Sequence, residues 1–368
     1  MTTDLFFIAG ELSGDRLGAS LISALKKQNS HLTFQGVGGP RMREEGLKAY
    51  HLTEELQVMG FIDVAWHIPS LIKIFNKIVH TIMTLNPPLV VTIDYPGFNL
   101  RLAKALRKKG FQGKLCHVVC PSVWAWGKKR IQTLANNYDL LLTLFPFEKP
   151  LFSATSLQVT YIGHPLIKEN PYERDLNSHQ IAFFPGSRQK EIERNLPFYV
   201  RLMKQLKKTR PHLQFVMSVS QEKYRPLIEN LVKDPDVKLL DQQAMKTVKP
   251  LFAVAKCGTI VLELALRGVP TIVTYEMSKL DVFLATYLFK IHLPYYSLPN
   301  LIMQKCLFPE LIGPHLNDAA LLQASIELLD DPEHLQKIRH ECQMLRNTLK
   351  PHQDPSEEAA RALLACIF

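Results

Sequence analysis

The chain has 368 residues, 46% hydrophobic and 21% charged, with a formal net charge of +10. That length exceeds what one core usually serves, so two domains are expected, and the composition excludes a disordered chain. The positive excess sits early: residues 1–163 carry 18 Lys+Arg against 11 Asp+Glu, a net +7 that leaves +3 for the remainder, and it suits phosphate-bearing ligands, nucleic acid or an anionic membrane surface.

In chain order, Leu5–Ala9 reads as a buried strand rather than a secretory signal, followed by the turn Gly10-Glu11-Leu12-Ser13-Gly14-Asp15. An amphipathic helix from Arg16 to Gln28 comes next, with Leu17, Leu21 and Leu25 on one stripe. This is a Rossmann-like βα opening, but glycines at 10, 14 and 18 do not form the dinucleotide fingerprint. Ser13 or Asp15 equally suits a helix cap. Phe34–Val37 and the glycines after it repeat the strand-then-turn theme. Residues 58–84 carry more apolar surface than one core-facing stripe requires, with Lys73 and Lys77 interleaved. The stretch suits a core helix, a greasy ligand wall or a patch that dips into a membrane. No apolar run reaches the roughly 18 residues that span a bilayer.

A strand from Pro87 to Ile93 ends in Asp94, where open α/β sheets bind ligands; the carboxylate suits a general base or a helix cap. Leu115–Val119 leads to Trp124 and Trp126, suited to a pocket rim or to core packing. The six cysteines lack metal-site spacing and read as thiols of a reducing compartment. Asp139–Leu144 and Val159–Ile162 close the first half, His164 reads as structural, and residues 167–179 read as a hinge.

The second half restarts the rhythm. A strand Ile181–Phe184 runs into Pro185-Gly186-Ser187-Arg188 and a helix from about Gln189. A helix N-terminus with free N–H groups and a guanidinium beside it suits a phosphate or diphosphate, although an ordinary βα loop has the same spacing. Strands follow at Leu213–Ser218, Val237–Leu240, Ala253–Ala255 and Thr271–Tyr275. The turn Cys257-Gly258-Thr259 precedes a helix carrying Glu263, long helices start near Lys279 and Asp318, and residues 356–368 form a terminal helix. Asp234-Pro235-Asp236 reads as a turn. The alternation predicts two doubly wound, parallel-sheet Rossmann-like domains facing a central cleft, with residues 1–166 in the first, 167–349 in the second, and a helix at 350–368 packing across domains or subunits.

Ten stretches in order carry a resemblance: AGELSGDRLGASLISALK (9–26), GVGGPRM (36–42), MGF (59–61), IDYPGFN (93–99), PSVWAW (121–126), FPFEK (145–149), IGHPL (162–166), FPGSR (184–188), GTIVLE (258–263) and SLPNLI (297–302). Together they resemble the lipid-A-disaccharide synthases, glycosyltransferases of family 19 with the GT-B fold. The resemblance implies an inverting, metal-independent transfer without cofactor. It moves 2,3-diacylglucosamine from its UDP ester to the 6-hydroxyl of 2,3-diacylglucosamine 1-phosphate (lipid X), giving a β-1,6 disaccharide and UDP. It implies Asp94 as catalytic and Gly186, Ser187, Arg188, Gly258, Thr259, Glu263 and Asn300 as donor-binding. Glu11, Ser13, Gly14 and Asp15 fall in the first domain's part of the cleft. Ile62, Val64, Ala65, Ile68, Leu71 and Ile72 match the family's membrane patch, which implies a cytoplasmic protein, monomer or homodimer, peripheral to an anionic inner membrane and without nucleic acid. Gly97 stands where the family often has a second aspartate, and Cys257 where it usually has serine.

Overall fold

The computed structural model describes residues 3–53, 64–124, 127, 129–172, 178–277, 293–351 and 353–367, with the backbone alone for 64–70. The chain divides into two compact units, Met1–His164 with Pro351–Phe368, and Pro165–Lys350.

The first unit holds β1 (Leu5–Ala9), β2 (Phe34–Gly38), β3 (Lys48–Leu52), β4 (Leu89–Ile93), β5 (Lys114–Val118), β6 (Leu140–Thr143) and β7 (Gln158–Tyr161). They form one sheet in the order β3-β2-β1-β4-β5-β6-β7, every neighbouring pair parallel. Leu5, Phe7 and Ala9 face one core while Phe6 and Ile8 face another on the opposite side. A strand covered on both faces has no polar alternation, which is why β1 reads as an unbroken apolar run and β4 as one interrupted only by the buried Thr92. One face is covered by the helices Leu12–Gln28 and Pro355–Leu364, which pack together; Ala359, Ala360 and Leu363 are fully buried there. The chain's last helix therefore belongs to the first unit although it follows the second in sequence. The opposite face takes Ile78, Val79 and Ile82 of the helix Val64–Leu85. The strand order reverses between β1 and β4, so the ligand crevice of such a sheet lies beyond their carboxyl ends.

The second unit holds β8 (Gln180–Phe184), β9 (Gln214–Val219), β10 (Lys238–Asp241), β11 (Phe252–Lys256), β12 (Thr271–Tyr275) and β13 (Glu310–Ile312), all parallel in the order β10-β9-β8-β11-β12-β13. Here the switch point lies between β8 and β11. The helix expected from Lys279 falls outside the described residues. Asp234 and Asp236 lie between the helix Arg225–Val232 and β10, and both carboxylates pair with Lys207.

Candidate active site

The switch point of the second unit opens into a pocket lined by Gly186, Ser187, Glu191, Lys256, Gly258, Thr259 and Glu263, with Ser218, Ser220, Gln242, Met245 and Lys246 around it. Two βα turns build it. After β8, Gly186 adopts φ +130°, a backbone region that side-chain-bearing residues rarely enter, and a Cβ there would lie 2.6 Å from Glu191 Cβ. The glycine thus lets the turn fold back onto the helix Gln189–Thr209. Glu191 Oε2 accepts from the Ser187 N–H at 3.0 Å, and its Oε1 lies 3.3 Å from Arg188 Nη1 and 3.0 Å from Lys256 Nζ. Burial alone would raise the Glu191 carboxyl, but the Ser187 N–H, Lys256 and Arg188 outweigh it and hold it below the usual range. After β11, Thr259 opens the helix Thr259–Leu266, and Glu263 lies one turn on along the same face. The Ser220 hydroxyl, buried on the pocket wall, makes no hydrogen bond among the described residues. A buried polar atom is seldom left so unless something else satisfies it.

Arg188 itself points outward, its side chain 77% exposed. The expectation of a ligand-facing amide at Asn300 does not match its surroundings. Its Oδ1 accepts from the Leu307 and Phe308 N–H groups at 3.0 and 2.9 Å. Its Nδ2 donates to Phe308 O at 2.8 Å and Glu310 Oε1 at 2.9 Å. The amide is saturated and fully buried. It braces Glu310, which in turn accepts from the Tyr296 and Ser297 N–H groups.

In the first unit, Asp94 and Tyr95 follow β4 with φ +48° each, two consecutive left-handed residues that are not glycine. Such strain persists only where the surroundings enforce it. Asp94 N–H donates to Val118 O at 2.9 Å, and the buried Asn99 amide donates to Asp94 O at 2.7 Å. Tyr95 lies over the end of β1: a Cβ on Gly10 would sit 2.5 Å from Tyr95 Cδ1. The two turns at this switch point are therefore in contact. Burial raises the Asp94 carboxyl, opposed by the Tyr95 N–H. Asp15, expected in the cleft, turns inward instead. It is 2% exposed and accepts from the Arg41 and Met42 N–H groups, each at 3.1 Å, satisfying the short helix Pro40–Glu44. Glu11 and Ser13 are exposed at the start of the helix Leu12–Gln28, and Gly14 packs against Ala9.

Two ionisable groups of the first unit are shifted by burial: His164, read as structural from the sequence, and Glu148, given no role there. Burial lowers His164 to about 4, with Arg16 adding to the effect. Burial pushes Glu148 up to about 8, although the Phe145 N–H donates to it at 3.1 Å. A carboxyl raised on folding contributes stability that is full below its unfolded value near 4.5 and is lost as pH rises through 8. Glu148→Gln should flatten that decline. Denaturant titrations at about pH 5 and pH 8.5 check this, with the wild type expected to lose several-fold more stability than the variant between them.

The sequence model of the lipid-A-disaccharide synthetase family matches residues 5–365. The chain belongs to the lipid-A-disaccharide synthetase family. A lipid-A-disaccharide synthase from Chlamydia pneumoniae is 41% identical over 377 residues, covering 97% of this chain and 62% of that protein. The chain thus spans about three fifths of the length of the chlamydial relatives it matches. One from Chromohalobacter salexigens is 34% identical over 375 residues, covering 98% of this chain and 96% of that protein. Among solved structures, the calicheamicin glycosyltransferase CalG4 aligns over 100% of this chain and 99% of its own, with TM-score 0.61 and 13% identity. The UDP-GlcNAc 2-epimerase of Neisseria meningitidis bound to UDP-GlcNAc aligns over 100% and 99%, with TM-score 0.58 and 14% identity. At these identities the likeness shows the fold, that of the GT-B glycosyltransferases and related epimerases.

Of the apolar stretch matched to the family's membrane patch, Ile62 lies outside the described residues, and Val64, Ala65 and Ile68 are placed by backbone only, on the helix Val64–Leu85. Leu71 is half-buried against the core and Ile72 is 52% exposed. Among the described residues no helix is long and apolar enough to cross a membrane, and no group of three or more His, Cys, Asp or Glu side chains converges as metal ligands do.

Proposed function

We propose that the chain carries the lipid-A-disaccharide synthase activity named for its relatives, transferring 2,3-diacylglucosamine from UDP-2,3-diacylglucosamine to the 6-hydroxyl of 2,3-diacylglucosamine 1-phosphate. The observation that carries the reading is the second unit's pocket. The turns at Gly186-Ser187 and Gly258-Thr259, 72 residues apart in the chain, flank one switch point and line the pocket together with Glu263, and Arg188 follows directly on the first turn. That combination suits a nucleoside diphosphate: N–H groups and a cation for the phosphates, a carboxylate for the ribose hydroxyls.

In this reading Asp94 accepts the proton of the acceptor's 6-hydroxyl as that oxygen attacks the anomeric carbon. The bond from that carbon to the β-phosphate oxygen breaks, and its electron pair leaves with UDP. The configuration inverts because attack and departure lie on opposite faces. A carboxyl held above its ordinary range by burial is the stronger base for this step. The Ser187 N–H and Arg188 stabilise the charge that builds on the departing diphosphate. A radiolabelled-donor assay tests the reading: the diacylated donor should turn over far faster than unacylated UDP-N-acetylglucosamine, and equal rates would refute it.

The acylated substrates call for apolar surface, and we assign it to the amino-terminal part of the helix Val64–Leu85, lying on the anionic cytoplasmic face of the inner membrane, toward which the +7 charge of residues 1–163 would draw it. Ile72→Ser, at an exposed position, should lower co-sedimentation with anionic liposomes by about tenfold, since each buried methylene contributes about 0.8 kcal/mol, while the unfolding temperature stays close to that of the wild type. Equal co-sedimentation would count against the patch.

A further inference from the structure

Lys256 is a pocket-lining cation that the donor reading leaves without a task. It ends β11, directly before the Cys257-Gly258-Thr259 turn. Its side chain is only 16% exposed, and its ammonium lies 4.9 Å from the centroid of the Tyr275 ring and 3.0 Å from Glu191 Oε1. A lysine this enclosed loses hydration and needs a defined anion. The anion it has is shared: the same carboxylate takes the Ser187 N–H and faces Arg188. Three donors suited to a phosphate group therefore converge on one carboxylate of the protein's own chain.

Glu191 is also the third residue of the helix Gln189–Thr209, and its bond to the Ser187 N–H ties the preceding turn onto that helix. Fastening the turn explains the bond to the Ser187 N–H. It does not explain why a lysine from β11, 65 positions away, is held against the other oxygen of the same carboxylate inside a pocket. A carboxylate brings a single charge and two oxygens to these donors, and a diphosphate brings more of both. Exchange of one for the other leaves both cations paired.

We propose that Lys256 is a second cation for the ligand's diphosphate and that Glu191 is its stand-in, a carboxylate that occupies the phosphate donors until a nucleoside diphosphate displaces it. The proposal rests on the reading of this pocket as a UDP site.

Calorimetric titration of the full chain with UDP and with uridine tests it. Lys256→Met should weaken UDP binding by about tenfold or more, as for loss of a charged hydrogen bond, and leave uridine binding unchanged, because uridine has no phosphate. Glu191→Gln keeps an oxygen for the Ser187 N–H but removes the competing charge, so UDP should bind about fivefold tighter or better, again with uridine unchanged. Thermal unfolding without ligand confirms that both variants fold. Unchanged UDP affinity in Lys256→Met, or weaker UDP binding in Glu191→Gln, overturns the proposal while the UDP site stands. Parallel losses for uridine and UDP would make the effect one of pocket shape and overturn it too. A wild-type chain that binds neither ligand would remove the UDP-site reading and the proposal together.

Discussion

Asp94→Asn should lower the transfer rate by about 10²–10⁴-fold, the range for removal of a general base, while UDP affinity by calorimetry changes by less than about twofold. The split follows from placement. Asp94 follows β4 in the first unit, whereas the pocket proposed for UDP is lined by residues of the second. The variant should fold, because asparagine enters the left-handed region more readily than most residues and can hold the φ of +48° that Asp94 adopts. The bonds from Asp94 N–H to Val118 O and from Asn99 to Asp94 O are to backbone and survive the change. In the wild type, burial raises the Asp94 carboxyl, so the acid limb of kcat/KM against pH should lie above the ordinary carboxylate range. A variant that keeps its rate would remove Asp94 from the mechanism.

Arg188→Ala should cost about 1.5–3 kcal/mol of UDP affinity, the usual range for a hydrogen bond to a charged group. Stability should barely change. The side chain is 77% exposed, and its ion pair to Glu191 at 3.3 Å keeps the guanidinium in solvent, where such pairs contribute about 0–1 kcal/mol. Calorimetry with UDP and a denaturant titration separate the two effects. Unchanged affinity would mean that the guanidinium stays turned to solvent in the complex and that backbone N–H groups hold the phosphates without it.

The central strands of both sheets were legible because burial on two faces writes them as apolar runs: Leu5–Ala9 and Ile181–Phe184 are such cases. Of the edge strands, β7 and β10 were read at Val159–Ile162 and Val237–Leu240, but β3 and β13 were not. β3, Lys48-Ala49-Tyr50-His51-Leu52, is half-exposed and carries a charge, and β13 has three residues. The turns of the site were legible as glycine and serine at strand ends, since the backbone demands them locally. Side-chain direction was not. Asp15 is consumed by N–H groups 26 and 27 positions away, and Asn300 by a loop that folds back over it. The Lys256–Glu191 pair joins two elements 65 positions apart, and no local spacing announces it. Glu191 alone had a signal, an acidic residue one turn into a helix behind a Gly-Ser turn. The last helix shows the same limit at the scale of the fold. The helix itself was read at residues 356–368, but its place against the helix Leu12–Gln28 is a tertiary fact.

The most direct test of the proposed activity is mass spectrometry of the lipid formed when the chain is incubated with UDP-2,3-diacylglucosamine and 2,3-diacylglucosamine 1-phosphate. The expected result is a single new species with the mass of the tetra-acylated β-1,6 disaccharide 1-phosphate, formed in step with free UDP and absent with Asp94→Asn. Recovery of both substrates unchanged, or UDP release without the disaccharide, would contradict it.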